Sequence, residues 1–337
     1  MRHKAAGLRE NSHGKALVTS AGCSAVIPAL NSEDPCSEPT VLRGPHIFAC
    51  FAASCVFCLI IAGSLVTSND AGLAVPDWPL SYGKLMPPMV GGILYEHGHR
   101  LVATFVGLVT IVLAAWISVR EKRRWVRRLA WLNLAVVIAQ GLLGGITVLY
   151  FLPPAVSMAH ASLAQTFFCL TVTLAVVTGR EWNAPPERSC DTGTLRVVSV
   201  GLAAAVYVQL ILGAGTRHNA LGPVPHVIGA GVVALIAVWL ALCSVRHSPK
   251  ERARQSVLLV AMIGAQIVLG IATLVTKIAH TEAVQPLPDR VWSATAHVAV
   301  GALILAAALV FVLRVHRRPP ACAQDPGAVE AGRASRV

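Results

Sequence analysis

The stretch Glu96-His97-Gly98-His99-Arg100 stands directly before an apolar run, residues 101–119, that no charged residue interrupts. The run is close to the roughly 20 residues that a helix needs to cross a bilayer. A carboxylate, two imidazoles and a guanidinium are costly to place at the mouth of a membrane segment, so they indicate a functional site. If the helix begins before the run, Glu96 and His99 lie three residues apart and share one helix face.

The composition of the whole chain is that of a membrane protein. Of its 337 residues, 55% are hydrophobic and only 13% are charged, whereas about a quarter of a soluble domain is charged. The formal net charge of +12 by itself suggests a nucleic-acid partner. Its distribution argues against that role, because the basic residues gather in short segments between apolar runs, as the positive-inside rule describes.

Eight apolar runs have the length of membrane spans, and lipid cannot satisfy free backbone groups, so all eight are predicted helices. The fold class is therefore an all-α integral membrane protein. The connections 120–126 and 246–254 and the tail 314–337 are rich in Lys and Arg, which predicts that both termini are cytoplasmic. Residues 1–45 read as a poorly ordered tail. The predicted spans are 46–66, 97–119, 127–149, 155–178, 195–214, 223–245, 255–275 and 291–313.

A repeated motif closes alternate helices. The pattern Gln-x-x-Leu-Gly-x-x-Thr begins at Gln140, Gln209 and Gln266, and a degraded version surrounds Gly63. The repeat predicts a helical hairpin used four times, and hence two parallel four-helix halves, 46–180 and 195–313. Glycine allows helices to approach closely, and we interpret the Gln and Thr residues as packing groups.

The connection 67–96 is the longest between two spans and is rich in Pro and Gly, which excludes a regular helix. Loops of this length are often lids or binding surfaces. The sequence leaves two interpretations open: a lid over a bound ligand, or an interfacial cap in which Trp78 anchors at the headgroups.

Three further histidines, His160, His226 and His297, lie like His99 in the first turns of even-numbered spans. The predicted topology places all four near the outer face. A single His at a helix end commonly just reaches the interface, but four at equivalent positions of a repeat indicate metal ligands. Few carboxylates and no cysteines lie nearby, which disfavours zinc and iron–sulfur sites.

Two imidazoles from opposite sides of a bundle suit the axial positions of haem. The repeat predicts the pairs His99 with His160 and His226 with His297. Arg100 and Arg217 can each bind a haem propionate, although snorkelling to the headgroups explains them equally well.

Glu96 breaks the symmetry, because no carboxylate precedes His226 or His297 by one turn. We therefore expect chemistry in the first half, with Glu96 handling a proton, and a permanent haem in the second. The alternative is a helix-start residue favoured by the helix dipole.

Two motifs carry a resemblance to a known family. Gly72-Leu73-Ala74-x-Pro76-Asp77-Trp78-Pro79 and Glu96-x-x-His99-Arg100, with the other three histidines, resemble the haem A synthase family over residues 46–313. That resemblance implies oxidation of a methyl group of haem O to a formyl group by successive hydroxylations. It also implies that Glu96 is catalytic, that His99 and His160 face the substrate haem, and that His226 and His297 ligate a haem b cofactor.

The resemblance also implies the surroundings of the reaction. Haem O synthase supplies the substrate, a haem–copper oxidase receives the product, and an electron partner of unassigned identity takes part. A complex with the synthase and a homo-oligomer are both compatible with this role. The expected location is a bacterial cytoplasmic (inner) membrane, with the haem sites toward the outer face.

One feature departs from the family. Many bacterial relatives carry cysteine pairs in outer loops, and this chain has none there. The pair Cys55-x-x-Cys58 lies inside an apolar run, where packing is the favoured explanation.

Two other functions compete with this interpretation. The first is a di-haem b-type membrane electron carrier without haem-modifying activity. The second is a transporter, which the collection of ionisable groups at one face disfavours, since transporters place them near the midplane.

Overall fold

The computed structural model describes residues 43–183 and 193–317. The predicted tails 1–45 and 314–337 therefore lie outside the described residues, apart from their ends nearest the membrane. At those ends the helices extend slightly beyond the predicted spans, because residues 43–45 and 314–316 are helical. Helix α1 begins before Pro45, since proline is tolerated in the first turn of a helix.

Within the described ranges the chain forms nine α-helices and no strand. Eight of them are long and apolar enough to cross a membrane, and the ninth, α5, is a single turn. The prediction of an all-helical, multi-pass membrane protein with eight spans is confirmed. The helices are α1 (Arg43–Ser68), α2 (Gly92–Arg120), α3 (Arg124–Leu149), α4 (Pro154–Thr178), α5 (Arg180–Asn183), α6 (Gly193–Arg217), α7 (Pro223–His247), α8 (Lys250–Ala279) and α9 (Pro288–His316).

Most of the helices extend beyond their apolar runs. Helix α2 begins at Gly92, so Glu96 and His97 belong to it, and the connection predicted as 67–96 is the shorter loop 69–91. Helix α8 begins at Lys250, within a charged segment. Hydropathy marks where a helix enters lipid, whereas the helix itself continues into the interface, where charged side chains are solvated.

The membrane helices form two sets of four. In the first set α1 contacts α2 and α4, and α3 contacts the same two helices. In the second set α6 and α8 each contact α7 and α9. The sets meet where α9 packs against α1 and α4 and where α6 packs against α4.

The contact between the sets is largely apolar and close-packed. Its centre includes Val56 of α1, Phe167 and Phe168 of α4, and Ala302 and Ala306 of α9. Large apolar side chains elsewhere point outward, such as Leu235 with 73% of its surface exposed. Such exposure fits a surface that faces hydrocarbon rather than water.

The connection between α2 and α3 is fixed by one ion pair. The Arg123 guanidinium donates to Oε2 of Glu121 at 2.7 Å, to the carbonyl of Val177 at 2.9 Å and to Oδ1 of Asn183 at 3.2 Å. Arg123 thus joins this connection to α4 and α5. Burial raises the pKa of the Glu121 carboxyl, but the hydrogen bonds and charge of Arg123 outweigh it and hold that pKa below its ordinary value of 4.5.

We expect Arg123→Ala to lower the free energy of unfolding in detergent by about 2 kcal/mol, because it leaves the buried Glu121 without its cation. In the parent chain this stabilisation is full above pH 4.5 and is lost as the pH falls through the lowered pKa of Glu121. Thermal unfolding followed by circular dichroism at pH 7 and at pH 4 measures both effects. Arg124→Ala is the control, since Arg124 has no ion pair within the described ranges. Equal losses of stability in Arg123→Ala and Arg124→Ala would contradict the role of the Arg123–Glu121 ion pair.

Candidate functional site

In the first set of helices, the imidazole ring of each predicted haem-binding histidine packs on a glycine of the preceding helix. A Cβ atom built on Gly63 of α1 would lie 3.0 Å from Cε1 of His99. One built on Gly144 of α3 would lie at the same distance from Cε1 of His160. Real side chains almost never pack so closely, so any larger residue would displace the imidazole.

The second set repeats this geometry. A Cβ on Gly213 of α6 would lie 2.9 Å from Cε1 of His226, and one on Gly270 of α8 would lie 3.0 Å from Cε1 of His297. These are the glycines of the repeated sequence motif. Each motif glycine is therefore the seat of an imidazole, a more specific role than the close helix approach that the sequence indicated.

The motif glutamines also touch the histidines. The Nε2 atoms of Gln140, Gln209 and Gln266 donate to the backbone carbonyls of His160, His226 and His297 at 2.9, 2.7 and 2.8 Å. The motif threonines differ, because Thr147, Thr216 and Thr273 donate within their own helices. Interpreting the glutamines as general packing groups missed their contact. The constant spacing of one turn between Gln and Gly was the signal that could have revealed it.

The histidines of the second predicted pair lie near one another. The ring centroids of His226 and His297 are 6.1 Å apart, with their planes at 79°. Two imidazoles that bind one metal ion from opposite sides, each through a bond of about 2 Å, have centres roughly 6 Å apart.

The ring nitrogens have few protein partners. Neither ring nitrogen of His99 or His297 makes a hydrogen bond to the described part of the chain, and Nδ1 of His160 is buried without a partner. Two ring nitrogens do meet a motif glutamine: Nε2 of His160 lies 3.3 Å from Nε2 of Gln140, and Nδ1 of His226 lies 3.0 Å from Nε2 of Gln209. Buried polar groups are normally paired, so free ring nitrogens indicate that a ligand belongs there.

These observations fit the haem predicted from the sequence. Among the described side chains, no three His, Cys, Asp or Glu residues come together as a metal site. A group held by two axial imidazoles and otherwise by apolar surface agrees with that finding. The glycine seats and the 6.1 Å separation of His226 and His297 suit it as well.

Glu96, the predicted catalytic residue, is buried, with 4% of its surface exposed. Its Oε2 accepts the backbone N–H of Val75 at 2.7 Å, and its Oε1 accepts Nη2 of Arg100 at 2.6 Å. The carboxylate therefore lies between the ligand-bearing helix and the loop that precedes it.

Arg100, a predicted propionate contact, is engaged with the same loop. Its Nη1 donates to the carbonyls of Asp77 and Leu80 at 2.7 and 2.8 Å, and its Nη2 donates to that of Val75 at 3.2 Å. The propionate contact stays a prediction. What the geometry adds is that Arg100 fixes the loop on top of α2.

His97 is a residue whose position the sequence did not reveal. Only 5% of its surface is exposed, and its Nδ1 lies 2.8 Å from Oγ of Ser81. Arg100 also reaches that hydroxyl, at 3.4 Å. Ser81, itself 1% exposed, therefore joins the loop to two neighbouring turns of α2.

The loop 69–91 extends from one histidine of the first set toward the other. The ring of Trp78 packs on Gly145, where a Cβ would lie 2.7 Å from its nearest atom. Gly145 follows Gly144, the seat of His160. Backbone N–H groups of Gly83 and Tyr82 donate to Asp77, lowering the pKa of its carboxyl and closing the turn. This arrangement favours a lid over a cap without ligand contacts.

Arg217, the second predicted propionate contact, joins the two helix sets. Its Nη2 donates to the carbonyl of Ser64 at 2.9 Å and to Oγ of Ser68 at 2.7 Å, both on α1. The propionate contact of Arg217 also stays a prediction. Next to it, burial lowers the pKa of His218 to about 4, with smaller contributions from the charges of Arg217 and His160, so His218 is neutral at neutral pH.

We expect Gly144→Ala and Gly270→Ala each to weaken haem binding by about 10- to 100-fold, the usual effect of disturbing what orients a metal ligand. The reason is that the added methyl group would displace His160 or His297. Haem per protein, measured as the pyridine haemochrome after purification, reports the loss. Gly141→Ala and Gly264→Ala are matched controls on the same helices, because a Cβ at either position meets nothing within 4 Å. Loss of haem in the controls as well would show that the glycine seats are not specific.

Comparison with known proteins finds one matching family model and several similar proteins. Residues 89–225 match the model of a family described as cytochrome oxidase assembly protein. That segment contains Glu96, His99, Arg100 and His160.

Individual relatives extend the similarity. The chain is 27% identical to the heme A synthase of Symbiobacterium thermophilum over 259 residues, covering 66% of this chain and 85% of that protein. It is 28% identical to the heme A synthase of an Exiguobacterium species over 51% of this chain and 57% of the relative. It is 29% identical to that of Alkalihalophilus pseudofirmus over 42% of this chain and 50% of the relative. The last two alignments thus span about half the length of the relatives. Together with the eight membrane helices and the signature residues, these similarities support the haem A synthase family as the one to which the chain is related.

Proposed function

We propose that this protein is a haem A synthase, which oxidises haem O to haem A for haem–copper terminal oxidases. The observation that carries the proposal is the set of four glycine-seated imidazoles, two in each helix set, with a buried carboxylate beside only one of them. One half thus has the residues to hold and modify a substrate haem. The other has only the residues to hold one.

The two helix sets divide this work. His99 and His160 would hold the substrate haem, and His226 and His297 would hold a haem b cofactor. The bound haem b supplies one-electron redox chemistry. The change to the substrate, oxidation of a methyl group to a formyl group by successive hydroxylations, is taken from the family resemblance.

Glu96 serves as the proton-handling group of the first half. It stands one turn before His99 on α2, and the loop 69–91 covers it. The N–H of Val75 and the guanidinium of Arg100 orient both carboxylate oxygens. A carboxylate fixed in this way can take a proton at Oε1 or Oε2 without reorienting.

The arrangement of the helices supports two parallel repeats, 46–180 and 195–313. Each set forms a closed ring of four, and the glycine seats recur at equivalent helix pairs. With both termini cytoplasmic, the histidine sites lie toward the outer face of a bacterial inner membrane. Haem O synthase supplies the substrate, directly or through a complex, and a haem–copper oxidase receives the product.

The alternative, a di-haem electron carrier, requires no carboxylate beside a histidine. The similarity to heme A synthases does not favour it. Haem analysis separates the two functions, because a carrier leaves the haem O pool unchanged.

Co-expression with a haem O synthase is therefore the decisive experiment. We expect haem A in the extracted haems, identified by mass, and a reduction of about 100-fold or more in Glu96→Gln, the range of a lost general base. Glutamine keeps an oxygen for the N–H of Val75, so haem content should persist. The control is Asp289→Asn, which removes a carboxylate from the first turn of α9, where it meets only His280 and its own helix end. Undiminished haem A in Glu96→Gln would remove Glu96 from the mechanism.

The proposed orientation predicts which loops a membrane-impermeant maleimide reaches. A cysteine at Leu85, whose side chain is 83% exposed in the loop 69–91, should be labelled in intact spheroplasts. One at Lys122, in the connection between α2 and α3, should be labelled only after lysis. The parent chain gives the background from native cysteines. The reverse labelling pattern would show that the protein has the opposite orientation in the membrane.

A further inference from the structure

The four histidine seats are not equally equipped. In three of them a glutamine, one turn before the seat glycine, donates to the backbone carbonyl of the seated histidine. We call this contact the glutamine clamp. In the fourth seat the equivalent position, one turn before Gly63, is Leu59. No side chain of the described residues donates to the carbonyl of His99.

A different element holds His99 in place. The turns of α2 on either side of it are attached to the loop 69–91, through Glu96 to Val75, through His97 to Ser81, and through Arg100 to Asp77 and Leu80. We call these contacts the loop latch. All four rings pack on a glycine of a neighbouring helix. The backbones of His160, His226 and His297 are also bonded to that helix, whereas the segment around His99 is attached to a loop instead.

The two kinds of attachment differ in how easily they open. Breaking a glutamine clamp leaves a polar amide and a carbonyl without their partners between two packed membrane helices, which is costly in lipid. The loop has no regular secondary structure, and several of its apolar side chains are exposed, Leu85, Met86 and Val90 by more than half. Segments with few buried contacts open at a smaller cost in free energy than packed helices do. The attachment of His99 is therefore the one that can be released alone.

We propose that His99 is the exchangeable ligand of the four, and that release of the loop latch frees it so that the substrate haem enters and the product leaves on its side. The three glutamines act as positioning residues that keep His160, His226 and His297 in place. The inference rests on the proposed function. The inference agrees with that function, because a substrate must leave in every cycle whereas a cofactor must stay. Both proposed cofactor ligands, His226 and His297, have the glutamine clamp.

Leu59→Gln tests the proposal by building the missing clamp. The seat geometry of His99 on Gly63 matches the other three, so an amide at residue 59 can reach the carbonyl of His99. The measurement is the rate at which purified, haem-loaded protein transfers haem to excess apomyoglobin, followed by the change in absorbance. We expect the transfer to have two phases, a faster one from the haem held by His99 and His160 and a slower one from the haem held by His226 and His297. Leu59→Gln should slow the faster phase several-fold, up to about 10-fold, which is the effect of one added hydrogen bond. Leu59→Met, of similar volume and without a donor, should leave that phase unchanged.

Two further variants keep the test decisive if Leu59→Gln does not fold. Gln266→Leu removes the clamp from His297 and should accelerate the slower phase several-fold without changing the faster one. Ser81→Ala weakens the loop latch and should accelerate the faster phase, with more rapid hydrogen exchange in residues 93–99. Unchanged rates in Gln266→Leu and Ser81→Ala, or equal rates in Leu59→Gln and Leu59→Met, would overturn the proposal. Purified parent protein without any haem would instead overturn the proposed function itself.

Discussion

Close packing of an imidazole on a glycine is the contact on which the rest of this structure depends. A helix pair can hold a histidine ring between its backbones only where one helix has no side chain, and the chain meets this requirement at Gly63, Gly144, Gly213 and Gly270. In lipid, van der Waals packing is a main source of helix association, and small residues permit the closest approach. The same glycines that bring the helices together therefore also position the ligands.

Polar groups in the membrane are used sparingly and with partners. The glutamines bond to histidine carbonyls, and Arg217 bonds to Ser64 and Ser68 across the two helix sets. A polar side chain without such a partner is costly in lipid. The free ring nitrogens of His99 and His297 stand out for this reason, and their isolation supports the proposal that these histidines bind haem.

The first half differs from the second through its loop. Glu96 and Arg100 reach backbone groups of the loop 69–91, and Trp78 of that loop packs beside the seat of His160. A buried carboxylate that is fixed by a guanidinium and a backbone N–H is held in one orientation. The second half has no carboxylate at the matching position. Two similar helix sets therefore differ in the groups beside their histidines, which is the basis for proposing a reaction in one and permanent binding in the other.

The sequence by itself determined the eight membrane helices, because a span needs about 20 apolar residues and lipid tolerates no unpaired backbone. It also indicated the four histidines, since their positions follow the period of the hairpin. It did not determine where the side chains at the helix ends point. The tertiary structure alone decided that Arg100 and His97 hold the loop, and that each glutamine meets a histidine carbonyl. Periodicity and hydropathy describe one helix at a time, whereas these contacts join residues from different helices and loops, and only the packing of the whole chain brings them within reach.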